Sequence, residues 1–162
     1  MALPEAHLDL VRPGLLLYGV TPTNETSAIE LQPVLSWRSE VIYFKVVEAG
    51  NPVSYGGTWA PRNSTRVVTL PVGYADGYRR AFSNQAQVII NDNRHNVVGR
   101  VCMDHTMIDI GNTSAFNGDQ AVLIGSSGAH QITVRDLARW SDTIPYEILT
   151  AITARVPRRW HP

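Results

Sequence analysis

The densest run of β-branched and aromatic residues, Val34–Val47 (VLSWRSEVIYFKVV), alternates only in part and predicts one long strand or two joined strands. The cluster Glu48-Ala49-Gly50-Asn51-Pro52 ends it as a turn. Val53-Ser54-Tyr55 and Arg66–Leu70 follow as short strand candidates around the loop Pro61–Ser64, and Pro71 closes the second. Gln87–Ile90, Asn96–Val101, Thr106–Ile110 and Ala121–Ile124 are further strands. The turn signals Asn91-Asp92-Asn93, Gly111-Asn112 and Asn117-Gly118-Asp119 lie between or beside them. In the last third the period changes. Val134–Trp140 and Tyr146–Ala154 place apolar residues three and four apart, which predicts two short helices, the second opening near Thr143 and Pro145. The expectation is a mainly β fold closed by two short C-terminal helices.

The N-terminal part reads differently. Leu8–Tyr18 is a short apolar stretch interrupted by Arg12-Pro13-Gly14, strand-like where Arg12 enters its apolar run, and it begins without the cap or turn signals that usually open a domain. It has the character of an ending. Asn24–Glu30 is polar and loop-like. A chain of 162 residues is long enough to remove roughly 68–70% of its unfolded surface from water, so it needs no metal or disulfide staple. Its single cysteine, Cys102, can form no internal disulfide and points to a reducing compartment. The sequence has no basic leader and no run of eighteen apolar residues, so the expected location is the cytoplasm, with no membrane contact. The 14 Lys+Arg balance 14 Asp+Glu, which argues against a nucleic-acid surface. The sequons at Asn24, Asn63 and Asn112 are read as loop composition. Lys45 is the only lysine, a bias that matters for any Schiff-base chemistry.

Candidate chemistry gathers where tyrosine meets glycine. Tyr55 stands in Val53-Ser-Tyr-Gly-Gly-Thr58 and Tyr74 in Leu70-Pro-Val-Gly-Tyr-Ala-Asp-Gly77. Neighbouring glycines let the backbone bend and let a second molecule approach, so a phenol can be presented rather than packed. A phenol ionises near pH ~10, so a tyrosine base needs positive charge nearby. The alternative is an interface or core aromatic with a bonded hydroxyl. In Gly99-Arg-Val-Cys-Met-Asp104, Cys102 and Met103 suit core filling and Asp104 a turn, with Cys102 a weaker candidate nucleophile near His105. The histidines show no metal-ligand spacing, and no metal site is expected. Arg12 is either exposed or, if buried, needs an acceptor from protein or ligand. Tyr146 belongs to the first turn of a helix, where it packs on a sheet or helps to receive an anion.

Together Arg12-Pro-Gly-Leu-Leu-Leu-Tyr-Gly, Val53-Ser-Tyr-Gly-Gly-Thr, Leu70-Pro-Val-Gly-Tyr-Ala-Asp-Gly, Val98-Gly-Arg-Val-Cys-Met-Asp-His, Thr143-Ile-Pro-Tyr-Glu and Arg155-Val-Pro-Arg resemble, in order and approximate spacing, the C-terminal part of bacterial alanine racemases. The resemblance runs from Leu3 to Trp160. It implies a pyridoxal 5'-phosphate enzyme that interconverts L- and D-alanine by two-base proton transfer. It also implies an N-terminal (β/α)₈ barrel, of which residues 1–20 would be the tail. Residues 21–162 would then be a partly open, antiparallel β-barrel-like domain. The implied partners are that barrel and a second subunit in a head-to-tail homodimer.

Carried over by motif, Tyr55 matches the catalytic tyrosine that exchanges the α-proton opposite the cofactor lysine. Arg12 matches the arginine facing the pyridine nitrogen, and Tyr146 a tyrosine on the cofactor phosphate. Tyr74 and Met103 match residues lining the substrate site from the partner subunit, Met103 through its backbone N–H to the substrate carboxylate. Asp104 matches an acidic residue at the entrance. The lysine that holds the cofactor lies earlier in the family's barrel, and Lys45 matches no such position. The chain alone is therefore expected to be inactive. A racemase of the same fold acting on serine or lysine, and a non-catalytic β binding module, remain the alternatives.

Overall fold

The computed structural model describes residues 4–21 and 30–160. The loop expected over Asn24–Glu30 and the sequon at Asn24 lie, apart from Glu30, outside the described residues. The chain divides into two units, Met1–Leu35 and Ser36–Pro162. In the first, the stretch expected to be strand-like is instead a 3₁₀ helix, Gly14–Tyr18, that ends at Gly19 in the left-handed region and buries Leu15. Proline before the glycine fixes φ and removes a ladder donor, which favours the turn over a strand.

The second unit is built on the strands β1 (Trp37–Glu40), β2 (Tyr43–Val47), β3 (Thr65–Leu70), β4 (Gln87–Ile90), β5 (Asn93–Val97), β6 (Thr106–Gly111), β7 (Gln120–Ser127) and β8 (His130–Ile132). They form an antiparallel sheet in the order β1-β7-β4-β5-β6-β3-β2, with β8 added to β7. The order explains its shape. Strands β1 and β2 end the order on opposite sides, yet only Val41 and Ile42 separate them in sequence. In a flat sheet with ~4.8 Å between strands they would lie about 29 Å apart, whereas the link reaches only about 10 Å. The sheet must curl. The Val41 N–H donates to the Asp119 carbonyl at 2.9 Å and the Ile42 N–H to the Thr69 carbonyl at 3.0 Å, so one extended segment leaves β7 and joins β3 within two residues. The unit is thus a partly open antiparallel barrel, mainly β, as expected.

Hydrophobic alternation sets the register. Strand β6 (TMIDIG) buries Thr106, Ile108 and Ile110 and leaves the intervening residues half-exposed. Val68, Leu70, Phe82, Ile89, Ile108, Leu123, Ile132 and Leu137 are fully enclosed, each contributing about 1.5–3 kcal/mol. Asn91 and Asp92, both at positive φ, join β4 to β5 in a two-residue hairpin. Because that turn is so tight, β5 starts at Asn93 rather than Asn96. It stops at Val97 instead of Val101, since Gly99 turns the chain at φ +70°. Ser127 pairs with His130 across a hairpin that adds β8, too short to be read from alternation.

Two helices follow. Helix α1 (Val134–Trp140) opens on a Thr133/Asp136 capping box, and α2 (Pro145–Ala151) begins on its proline. Tyr78, fully buried, meets Trp37 edge to face at 5.8 Å and Phe82 in a tilted pair at 4.6 Å. Its hydroxyl is buried and has no partner among the described residues, and burial pushes the phenol pKa up. An unpaired buried hydroxyl costs about 1–3 kcal/mol. Tyr78→Phe is accordingly expected to stabilise the domain by about 1 kcal/mol. A urea-unfolding midpoint at or below the parent's would contradict this.

Candidate functional site

The loop 98–105 gathers the candidate residues. Gly73 lies against it so closely that a Cβ there would stand 2.2 Å from the Cys102 carbonyl oxygen and 2.4 Å from that of Met103. This approach lets the Tyr74 N–H donate to the Cys102 carbonyl and the Ala75 N–H to the Met103 carbonyl, both at 3.0 Å. Tyr74 and Met103 are therefore held side by side through backbone, and both side chains stay exposed. The Met103 N–H has no partner among the described residues, although its carbonyl is used.

Ser54, the residue before Tyr55, bonds to the same loop. The strand expected over Val53-Ser54-Tyr55 is reduced to one bridge, Val53 to Trp59, followed by a 3₁₀ turn, Tyr55–Gly57. Ser54 causes the change. It adopts φ +68°, ψ 179°, a region that serine enters at a cost of about 1–3 kcal/mol. Its Oγ donates to the Arg100 carbonyl at 2.7 Å and lies 3.5 Å from Cys102 Sγ. Tyr55 is 74% exposed. The Arg100 Nε stands 3.5 Å from where a Cβ on Gly56 would be, bringing positive charge beneath the tyrosine turn.

Asp104 is paired. Arg155 Nη2 donates to Asp104 Oδ1 at 2.6 Å, while its Nε lies 3.2 Å from Asp76 Oδ1. The Asp104 hydrogen bond strengthens the guanidinium's hold on its proton. The other Asp76 oxygen accepts the Gly73 N–H at 2.9 Å, so the carboxylate ties Arg155 to the Tyr74 turn. Tyr146 is exposed on α2. Just past that helix, the Thr153 N–H donates to the Asp76 carbonyl at 3.1 Å and its hydroxyl to the Ala75 carbonyl at 3.0 Å. At the start of α2, Glu147 accepts from Arg79 at 2.8 Å and from the Thr143 hydroxyl. The Thr143 bond, then Arg79, hold its carboxyl below the usual carboxylate range.

Tyr55, Tyr74, Met103 and Asp104 thus meet on one linked set of loops, with Tyr146 on the adjoining helix. Arg12 belongs to the first unit, where it is exposed just ahead of the 3₁₀ helix. Lys45 is exposed on β2. Cys102 is half-buried and unpaired, packed against Ser54. Among the described residues no cluster of His, Cys, Asp or Glu could hold a metal, and no helix is long and apolar enough to cross a membrane. The sequence carries no local signal of Ser54, Arg100 or Asn84, whose Oδ1 accepts the Gly99 N–H at 2.6 Å, because their contacts join segments far apart in the chain. A serine flanked by Tyr-Gly-Gly carries no local signal of its backbone angle.

The second unit is a curled antiparallel sheet that presents Tyr55, Tyr74 and, among the described residues, an unpaired Met103 N–H on exposed loops. Residues 34–160 match the model of the family described as "Alanine racemase, C-terminal domain", and the chain belongs to that family. It is 48% identical over 161 residues to alanine racemase of Carboxydothermus hydrogenoformans, a match covering 98% of this chain and 44% of that protein. The solved alanine racemase of Streptomyces coelicolor A3(2) superposes with a TM-score of 0.91 at 38% identity, over 96% of this chain and 42% of the other. That of Bartonella henselae, solved with covalently bound pyridoxal phosphate, gives 0.83 at 33% identity, over 91% of this chain and 40% of the other. The chain spans about two fifths of the length of such relatives.

Proposed function

We propose that this chain is the C-terminal part of an alanine racemase, supplying Tyr55 as one of two proton-transferring groups on opposite faces of the substrate. The observation that carries the reading is that the turns bearing Tyr55 and Tyr74 are both anchored to the loop 98–105, on which the Met103 N–H is unpaired among the described residues. Inverting a stereocentre requires a proton to leave one face of the α-carbon and another to arrive on the opposite face. Tyr55 exchanges the proton on its face. Its phenol stands clear of its own domain, as it must to reach a substrate held elsewhere. The Met103 N–H binds the substrate carboxylate, Tyr74 walls the site, and Asp104, held by Arg155, shapes the entrance.

The residues present suit pyridoxal phosphate as contributors and not as its sole holder. The Tyr146 hydroxyl is an exposed donor fit for a phosphate, and the Arg12 guanidinium is an exposed, permanently charged donor fit for a ring nitrogen. When bound, the cofactor supplies the electron sink that makes the α-proton acidic. With the cofactor bound, the fixed charge of Arg12 would disfavour a proton on the ring nitrogen and so limit side reactions. Lys45 is no anchor on this reading: it faces solvent on β2, paired with Val67 in the ladder. The covalent lysine and the second base come from an N-terminal barrel whose tail is residues 1–20, and the site is completed across a head-to-tail homodimer. Exposed Tyr43, Phe44 and Val46 on β2 suit a covering domain. The unpaired Cys102 fits a reducing, cytoplasmic setting.

Reconstitution tests the proposal. With added pyridoxal phosphate, the chain alone is expected to leave L-alanine unchanged, while the chain joined to a racemase barrel racemises it. A panel with serine and lysine decides the substrate. Racemisation by the chain alone would sink the division of labour.

A further inference from the structure

Tyr55 is so exposed that packing cannot set the direction of its side chain, so its backbone must. That backbone is pinned at both ends. Before Tyr55, Ser54 sits at φ +68°, ψ 179°, and its hydroxyl donates to the Arg100 carbonyl at 2.7 Å. After it, Thr58 Oγ1 accepts from Asn84 Nδ2 at 3.1 Å. Asn84, itself at φ +59°, uses its other side-chain atom to accept the Gly99 N–H at 2.6 Å. Gly99 completes the fit: a Cβ there would lie 2.6 Å from the Val53 carbonyl oxygen and 2.8 Å from Ser54 Cβ. Both anchors therefore end on the same short segment, Gly99-Arg100, which leads directly into Met103.

We propose that Ser54 and Asn84 are positioning residues for Tyr55, a two-point clamp that fixes the phenol's direction relative to the Met103 backbone. The clamp rests on Tyr55 being the proton-transferring group proposed above. Strain at Ser54 is the sign of it: a non-glycine residue persists in that region only where its surroundings over-determine it. Both side chains bond to backbone or to one another's segment, and neither is assigned any contact with substrate.

Ser54→Gly separates positioning from stability. Glycine adopts the same backbone without strain, so the fold is retained, but the bond to Arg100 is lost. In the complete enzyme the thermal midpoint is expected to hold or rise while kcat falls about tenfold or more, with KM within about twofold. Exchange of the α-proton with solvent should fall for one enantiomer and persist for the other. A 3-fluorotyrosine at position 55 should give a single narrow ¹⁹F resonance in the parent and a broadened or doubled one in the variant. Thr58→Val, which removes the acceptor for Asn84 at an exposed position, should act in the same direction. Tyr55→Phe is run alongside. If it is inactive while Ser54→Gly and Thr58→Val both match the parent, the clamp is overturned and the role of Tyr55 stands. If Tyr55→Phe racemises normally, the role of Tyr55 falls and the clamp with it. If Ser54→Gly fails to fold, Thr58→Val decides by the same readouts.

Discussion

Tyr55→Phe is expected to lower racemisation by the complete enzyme about 10²- to 10⁴-fold, the range in which a positioned proton-transferring group contributes. The ring and its exposure are kept, and the change removes one oxygen. Tyr55 is 74% exposed, and among the described residues its turn is secured by the bonds of Ser54, Asn84 and Thr58. The thermal midpoint and cofactor absorption should therefore stay near the parent's while turnover collapses. Steady-state racemisation in both directions, with the absorption spectrum, checks it. Normal turnover would place the base elsewhere.

Gly73→Ala should produce the other large effect, by a different route. Its added methyl must displace the backbone carbonyls of Cys102 and Met103, which lie 2.2 and 2.4 Å from the ideal Cβ position. Neither is the end of a flexible side chain that could swing away. Separating the two loops breaks the Tyr74-to-Cys102 and Ala75-to-Met103 bonds and costs about 1–3 kcal/mol of stability. It also moves Tyr74 and Met103 apart, and a displacement near 1 Å in a catalytic arrangement costs about 10²-fold in rate. KM for alanine should rise along with the loss in kcat, because Met103 is proposed to bind the carboxylate. A crystal structure of the variant with the loops unmoved, or parental kinetics, would refute this account.

Much of the fold is legible in local pattern. The strand pattern of Thr106–Ile110 marks β6, apolar spacing over Val134–Trp140 marks α1, and Asn91-Asp92-Asn93 marks the turn after β4. Several readings failed where a single backbone angle outweighs side-chain preference. Val53-Ser54-Tyr55 looks like a strand until Ser54 turns at positive φ, and Asn96–Val101 ends early at Gly99. The short 3₁₀ helix at Gly14–Tyr18 replaces an expected strand because Pro13 and Gly14 set the backbone before the leucines can alternate.

The candidate residues were also legible, as tyrosines beside glycines and as motifs in a recognisable order. Their meeting was not. Ser54 and Arg100, Thr58 and Asn84, Asp104 and Arg155 are joined by hydrogen bonds between segments tens of residues apart, and no local spacing encodes such pairs.

By itself the sequence determined the mainly β class, the two closing helices, the family and the residue types offered for chemistry, since these follow from periodicity, turn residues and ordered motifs. Only the tertiary structure decided that β1 and β2 close the sheet through two residues. It alone placed Gly73 against the Met103 loop and put Ser54 under strain beside Tyr55. These depend on curvature and on contacts of long sequence separation, which exist only once the sheet has curled.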